Sequence, residues 1–285
     1  MTDVAVLVTG GAGFLGTAVL ADRPSGVSTA ATWRHAPPLA PASTTGREPV
    51  RWARLDLDDS DATQRALGEL RPTAVIHTAF GMGAPGRDID AATASVADAC
   101  AEVEARLIHV SSDLVFGGDR APYAEHDPLA PVDTQGHHKA RTEQVVADAL
   151  PGATIVRTSL LLSDAPLDPR SAWMLDAARI PGRTLFTDEI RCPSHVDDVA
   201  AGLWELALSE HEVVGPWHLV GPEAISRYDL GRLVVGASGG DPERLVPARS
   251  ADQATRRPLD LTLSAERARE GLRVRMRPVS TIFEA

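Results

Sequence analysis

Apolar and polar positions along this chain switch between two periods, and the switches lay out its elements. "VAVLVTG" is a short apolar run that meets a glycine cluster, which predicts a buried parallel strand over residues 4–9. "GFLGTAVLA" follows with Phe14, Ala18 and Val19 at helical spacing. Further strands are expected over residues 27–33, from 50 to near Asp56, over 73–78, in "RLIHVSS" and in "ATIVRTS". Between them, Asp59 can cap a helix running to about Leu70, and further helices are expected near 88–105 and 136–150. "APPLAPAS" is too rich in proline for anything but a loop. This β-α-β-α order implies an α/β fold with a doubly wound parallel sheet, a dinucleotide-binding Rossmann domain over residues 1–160. The remainder, 161–285, is less regular. It suggests helices near 171–179, 196–208 and 226–236 with strand-like "PWHLVG" and "PLDLTL". A smaller substrate-binding lobe, interleaved with the last sheet strands, is the expectation.

Composition narrows the function. The 285 residues carry a formal charge of −11, which argues against a nucleic-acid binder. No apolar run approaches the ~20 residues that span a bilayer. Met1 leads directly into "TDVAVLVTGG", which lacks a basic n-region and a cleavage site, so no signal peptide is expected. Cys100 and Cys192 fit no metal or redox spacing; buried free thiols in a reducing cytoplasm, and no metal, are the expectation. Lys139 is the only lysine in a chain whose other basic residues are arginine. Arginine cannot replace lysine where a compact, rotatable ammonium is needed.

The glycine cluster sits where a dinucleotide needs it. Gly10, Gly13 and Gly16 in "TGGAGFLG" lie between a strand and a helix, which allows a tight turn and close approach of a pyrophosphate. Phe14 and Leu15, inside the same turn, join the expected cofactor positions, as do Thr78 and Ala79 after the strand at 73–78. The second strand ends in "TWRH", with Arg34 where an NAD site would usually place an acid; a guanidinium there suits a 2′-phosphate and favours NADP(H). Asp56, beside Leu57, can face the adenine amine or merely open the next helix.

Together these segments resemble the extended short-chain dehydrogenase/reductases, and more closely the dTDP-4-dehydrorhamnose reductase-like, sugar-nucleotide-binding family. "TGGAGFLG", "VSSDLVFGG", "APYAEHDPLAP", "GHHKARTE", "LFTDEIRCPSHVDDVA" and "RPLDLTLS" carry the likeness over nearly the whole chain. The resemblance implies an oxidoreductase that catalyses through Ser/Thr, Tyr and Lys, the last two spaced Y-x-x-x-K. Ser112 and Lys139 fit the first and last, but the tyrosine position is Gln135, and both flanks align without a gap. A phenol lowered by a neighbouring ammonium can protonate the alkoxide left by hydride delivery; a primary amide cannot near neutral pH. Loss of a general acid typically costs about 10²–10⁴-fold. His138, three positions after Gln135, and Tyr123, in the long loop, are the candidate replacements. Lys139 keeps a second expected task, holding the nicotinamide ribose.

Asp113, Phe116, Leu160 and Arg191 are the expected substrate contacts, with Arg191 set to pair a diphosphate or, alternatively, to make a structural ion pair. The sequence therefore implies an NADP-dependent reductase-like protein acting on a nucleotide-diphospho-keto-sugar or similar polar metabolite, with a homodimer as a candidate assembly. Two alternatives stand beside it. One is a degenerate NADP-binding regulatory subunit, a use represented by the regulatory subunit of methionine adenosyltransferase, which shares the resemblance. The other is a redirected, even non-redox, biosynthetic enzyme.

Overall fold

The computed structural model describes residues 5–35, 48–80, 89–180 and 182–283. The "APPLAPAS" loop, 36–43, and the expected helix start at 88 lie outside the described residues. Two compact units share the chain and interleave along it. One takes Met1–Ser111, His138–Val156 and Ala200–Pro216; the other takes Ser112–His137, Arg157–Val199 and Trp217–Ala285.

The first unit alternates strands and helices as the pattern predicts: β1 (Val6–Thr9), α1 (Phe14–Ala21), β2 (Thr29–Trp33), β3 (Arg51–Arg54), α2 (Ser60–Leu70), β4 (Ala74–His77), α3 (Ile89–Glu102) and β5 (Arg106–Ser112). Helix α4 (Thr134–Ala149) and strand β6 (Thr154–Thr158) follow. With Gly215–Leu219 they build a seven-stranded sheet whose order is Gly215–Leu219, β6, β5, β4, β1, β2, β3. The pairs among β1, β2, β3, β4 and β5 are parallel. Val6, Leu7 and Val8 are fully buried, as a strand covered on both faces requires. Strand β3 is different: Arg51, Ala53 and Arg54 are exposed, and charge on an edge strand discourages further pairing. Asp59 does cap α2, accepting from the Ala62 N–H at 2.9 Å. Leu7, Val75, Leu107, Val96 and Leu67 form the centre of this unit's core.

Strand order reverses between β1 and β4, and in open α/β sheets that reversal opens a crevice at the strand C-termini. The segments that leave those two strands are Gly10–Gly16 and Thr78–Phe80, so the fold assigns the ligand side before any side chain is considered.

The second unit is built from short pieces. Helices Pro169–Ala177 and Arg227–Ala237 pack their apolar faces around Met174, Leu185, Leu230 and Val234. Two- and three-residue strands link the loops: Ile190–Arg191 pairs Ile225–Ser226, and Thr184–Phe186 pairs Val246–Ala248. "PLDLTL" is not the expected strand. Residues 258–263 make only two single bridges, Asp260 to Ile190 and Leu263 to Tyr123. The Asp260 carboxylate accepts from the Thr262 N–H at 2.9 Å and its hydroxyl at 2.6 Å, a local turn that competes with a ladder.

Candidate active site

The glycine turn of the first unit is a cradle made of backbone. Gly10 has φ +72°, and a Cβ there would stand 2.7 Å from the Ala79 Cα and N. At Gly16 a Cβ would stand 2.2 Å from the Gly10 carbonyl oxygen. Both positions therefore exclude any side chain, and the Gly13 N–H closes the turn onto the Gly10 oxygen at 2.9 Å. Thr78 ties the two crevice segments together by donating its hydroxyl to the Thr9 oxygen at 2.7 Å. Leu15 is buried, whereas Phe14 is exposed at the start of α1.

Arg34 stands at the end of β2, gripped from one side. Its Nε donates to Asp56 at 3.0 Å and one Nη to Asp58 at 3.3 Å. The other terminal nitrogen, Nη1, is buried and has no hydrogen-bond partner among the described residues. A buried unpaired donor is costly unless something polar meets it. Asp56 is thus half-exposed and engaged with Arg34, while Leu57 packs into the core.

Lys139 is buried, at 6% exposure, on α4. Its ammonium donates to the Val110 carbonyl at 2.8 Å and lies 3.8 Å from the centroid of the Phe80 ring. Glu143, one turn on, accepts the Ser111 hydroxyl at 2.5 Å. Burial pushes the Lys139 ammonium from 10.5 down to about 7, against an upward pull from Glu143. Beneath it His77 and His109 stack with centroids 5.3 Å apart, and His109 is held well below the usual imidazole range by burial first, then by His77 and Lys139.

A stability test follows from Lys139. Between pH 7 and 10.5 the unfolded chain binds a proton on this amine that the folded chain does not. Folded-state stability should therefore rise with pH across that window, by up to about 1.4 kcal/mol per pH unit. Lys139→Met removes the burial penalty, so its stabilisation over the wild type should be largest at pH 7 or below and fade toward pH 10. Guanidinium unfolding midpoints at pH 6.5 and 9.5 measure this; a pH-independent difference would contradict it.

The second unit holds the remaining expected residues. Ser112 donates its hydroxyl to Asp113 Oδ1 at 2.9 Å, and Ser159 donates to Asp113 Oδ2 at 2.6 Å. Leu160 is a buried wall residue of this unit's core. Three expectations need correction. Phe116 is fully buried, stacked on Tyr123 with the Arg157 guanidinium over its ring, so it supports the loop rather than lining a surface. Arg191 is equally spent: it donates to the carbonyls of Ile190, Pro258 and Leu259 and sits 3.8 Å from Asp113, which makes it a structural anchor. Tyr123, 1% exposed, accepts the N–H groups of Gly118, Asp119 and Arg120 and donates to Asp119, so its phenol has no capacity left for a substrate.

Gln135 lies in the first turn of α4, where Asp133 accepts the Gly136 N–H at 2.7 Å. A Cβ on Gly136 would meet the Leu114 carbonyl oxygen at 2.2 Å, so this helix start is fixed closely. The Gln135 amide makes no hydrogen bond among the described residues, and neither does half-buried His138. His137 is exposed and bound back to the Asp133 carbonyl at 2.8 Å.

Sequence reasoning missed a cleft of about 450 Å³ in the second unit, lined by Arg170, Arg183, Arg227, Arg257, Trp173 and Phe186. Arg183 lies over Trp173, and Arg257 over Phe186, each about 5.6 Å from the ring centroid. The single carboxylate of the lining, Glu189, stands 3.4 Å from Arg227 and 3.6 Å from Arg257. Burial, then Arg170 and Arg191, lowers Arg227 to about 10, so it stays charged at neutral pH. Arg183 also lies 3.9 Å from Asp176, and Arg170 is near Asp168 and Asp113, yet four guanidiniums line the cleft against the one carboxylate of its wall, which suits an anionic ligand with a flat ring. The lining comes from four separated stretches, which is why no motif announced it.

Comparison with known proteins decides the family. The model of the RmlD substrate binding domain matches residues 4–281. The chain belongs to this family. A family relative, dTDP-4-dehydrorhamnose reductase from Mycobacterium tuberculosis, is 37% identical over 163 residues, covering 55% of this chain and 53% of the relative. The chain thus spans about half the length of that relative. Methionine adenosyltransferase 2 subunit beta from Pongo abelii is 28% identical over 249 residues, 81% of this chain and 71% of that protein. Among solved structures, dTDP-4-dehydrorhamnose reductase of Bacillus anthracis in complex with NADP superposes with a TM-score of 0.79 at 21% identity, covering 100% and 97% of the two chains. The likeness confirms the doubly wound fold of the family. No helix among the described residues is long and apolar enough to cross a membrane.

Proposed function

We propose that this chain is an NADP(H)-dependent reductase of a nucleotide-diphospho-keto-sugar, working in the cytoplasm. The observation that carries the reading is the arginine- and aromatic-lined cleft in a chain that also has a side-chain-free dinucleotide turn. The cleft fits a nucleoside diphosphate: guanidiniums can pair with phosphate oxygens, and the exposed Trp173 side chain offers apolar ring surface to the base. The turn fits a dinucleotide, because backbone crowding at Gly10 and Gly16 keeps it free of side chains there, so that a pyrophosphate could approach the start of α1. The unpaired Arg34 nitrogen fits a 2′-phosphate. Gly10, Gly13, Gly16, Arg34, Thr78, Ala79 and Lys139 would hold the cofactor, which supplies hydride when bound. Ser112, oriented by Asp113, would direct the substrate oxygen. Relatives with the corresponding activity and cofactor support the reading.

Calorimetric titration with NADPH and with dTDP tests it: each should bind, and failure of both would end the reading. Arg34→Ala is expected to weaken NADPH by about 10-fold, the worth of a charged hydrogen bond, while leaving NADH nearly unchanged. Equal NADPH and NADH affinities in the native protein would remove the role of Arg34. A regulatory subunit is the second reading, favoured by the missing phenol at Gln135 and by the likeness to the methionine adenosyltransferase subunit. It predicts binding of NADPH without turnover, and a partner enzyme whose activity changes on mixing.

A further inference from the structure

The Y-x-x-x-K spacing ends here on a lysine with no phenol before it, and that leaves the proton unassigned. Of the other candidate groups, half-buried His138 makes no hydrogen bond among the described residues that would orient its ring, and the rest are engaged or too weakly acidic. Tyr123 is saturated by three backbone N–H groups and Asp119. His137 is exposed and turned back to the Asp133 carbonyl. Ser112 donates to Asp113, and a serine hydroxyl is far too weak an acid to act alone near neutral pH. Gln135 is an amide with the same defect. Lys139 is the residue whose surroundings are unusual for its type.

A surface lysine holds its proton tightly because water and carboxylates stabilise the charge. Lys139 has neither in good measure. Its ammonium is buried, meets one neutral carbonyl at 2.8 Å and one ring face, and makes no salt bridge among the described residues. The nearest carboxylate, Glu143, is occupied by the Ser111 hydroxyl. Two further titratable groups act here, His77 and His109, and His109 is pushed toward its neutral form by its own burial. One ammonium N–H is used by Val110, which leaves two with no acceptor among the described residues.

We propose that Lys139 is itself the general acid of this site, giving its proton to the substrate oxygen in place of the absent tyrosine. The inference rests on the reductase reading above. The carbonyl carbon gains a hydride, with its electron pair, from a dihydronicotinamide, which is thereby oxidised. The carbonyl π pair moves onto oxygen, an Nζ–H bond breaks, and an O–H bond forms. Lys139 is left as a neutral amine and regains its proton from water after the alcohol departs. A lysine desolvated in this way is matched to the task, because an acid works best when its pKa lies near the working pH. Gln135 then has a supporting place, one turn earlier on α4, as a hydrogen-bond donor that stays neutral.

The sole lysine makes a direct measurement possible. Tag-free protein labelled with ¹³C at lysine Cε, with NADP⁺ bound, gives one lysine side-chain signal in a heteronuclear NMR spectrum. Its midpoint should lie near pH 7, with kcat for keto-sugar reduction falling 10-fold per pH unit above that midpoint. Lys139→Arg, which keeps the charge but cannot release a proton, should lose ~10²-fold in kcat measured at saturating NADPH. Gln135→Leu should keep the alkaline limb at the same midpoint. A lysine midpoint above pH 9.5, or a Lys139→Arg enzyme with undiminished kcat, overturns the proposal while the reductase reading stands. Absence of any turnover by the native protein with bound NADPH overturns both. The native titration needs no variant, so a misfolded mutant does not obscure the outcome.

Discussion

Gly16→Ala is expected to weaken NADPH binding by about 10- to 10²-fold, the equivalent of 1–3 kcal/mol of overpacking. The added Cβ would stand 2.2 Å from the Gly10 oxygen, 2.8 Å from the Gly11 Cα and 2.9 Å from the Gly10 carbonyl carbon. All three are backbone atoms, so no side chain can rotate away. Either α1 or the turn must shift, and the amides that would face a pyrophosphate shift with it. Gly68→Ala is the control, since a Cβ there meets nothing within 4 Å on α2. Fluorescence titration with NADPH reads both variants. Native affinity in Gly16→Ala would mean that the turn does not hold the dinucleotide.

Arg257→Ala is expected to weaken dTDP by about 10- to 10²-fold, with a shallower dependence on salt, because a charge-assisted hydrogen bond is worth about 1.5–3 kcal/mol. Arg257 is the clean choice among the four arginines. Its side chain is 50% exposed and only partly tied to Glu189. Arg227 is a poor choice, because its removal takes the nearer guanidinium from Glu189, a carboxylate only 2% exposed, and would cost stability as well as binding. Calorimetric titration with dTDP, with unfolding midpoints as a control, separates the two. Unchanged dTDP affinity in a stable Arg257→Ala protein would mean that the cleft is not the nucleotide subsite.

The readable parts of the chain were those fixed by local chemistry. The β1–glycine–α1 passage was legible because it joins an apolar run to glycines that only backbone crowding explains. The Asp59 cap was legible because capping is decided within three residues. Roles set by distant partners were not legible. Arg191 in "DEIRCP" could be read either as a diphosphate contact or as a structural ion pair, and its acceptors, which include carbonyls at Pro258 and Leu259, lie far along the chain. Phe116 read as a surface contact but is covered by Tyr123 and Arg157. "PLDLTL" had strand composition, and the Asp260–Thr262 turn overrode it. The arginine cleft was invisible because its residues share no spacing. The environment of Lys139 is a tertiary fact too: Phe80 and Val110 come from other elements.

The proposed activity is reduction of a nucleotide-linked keto-sugar by NADPH. The most direct measurement is NADPH oxidation, followed at its absorbance maximum, with a dTDP-4-keto-6-deoxy sugar, and mass analysis of the sugar product. Stoichiometric NADPH loss and a product two mass units heavier than the keto-sugar are expected, with little rate from NADH. No oxidation and no mass change across a panel of keto-sugar nucleotides, in protein shown to bind NADPH, would contradict it.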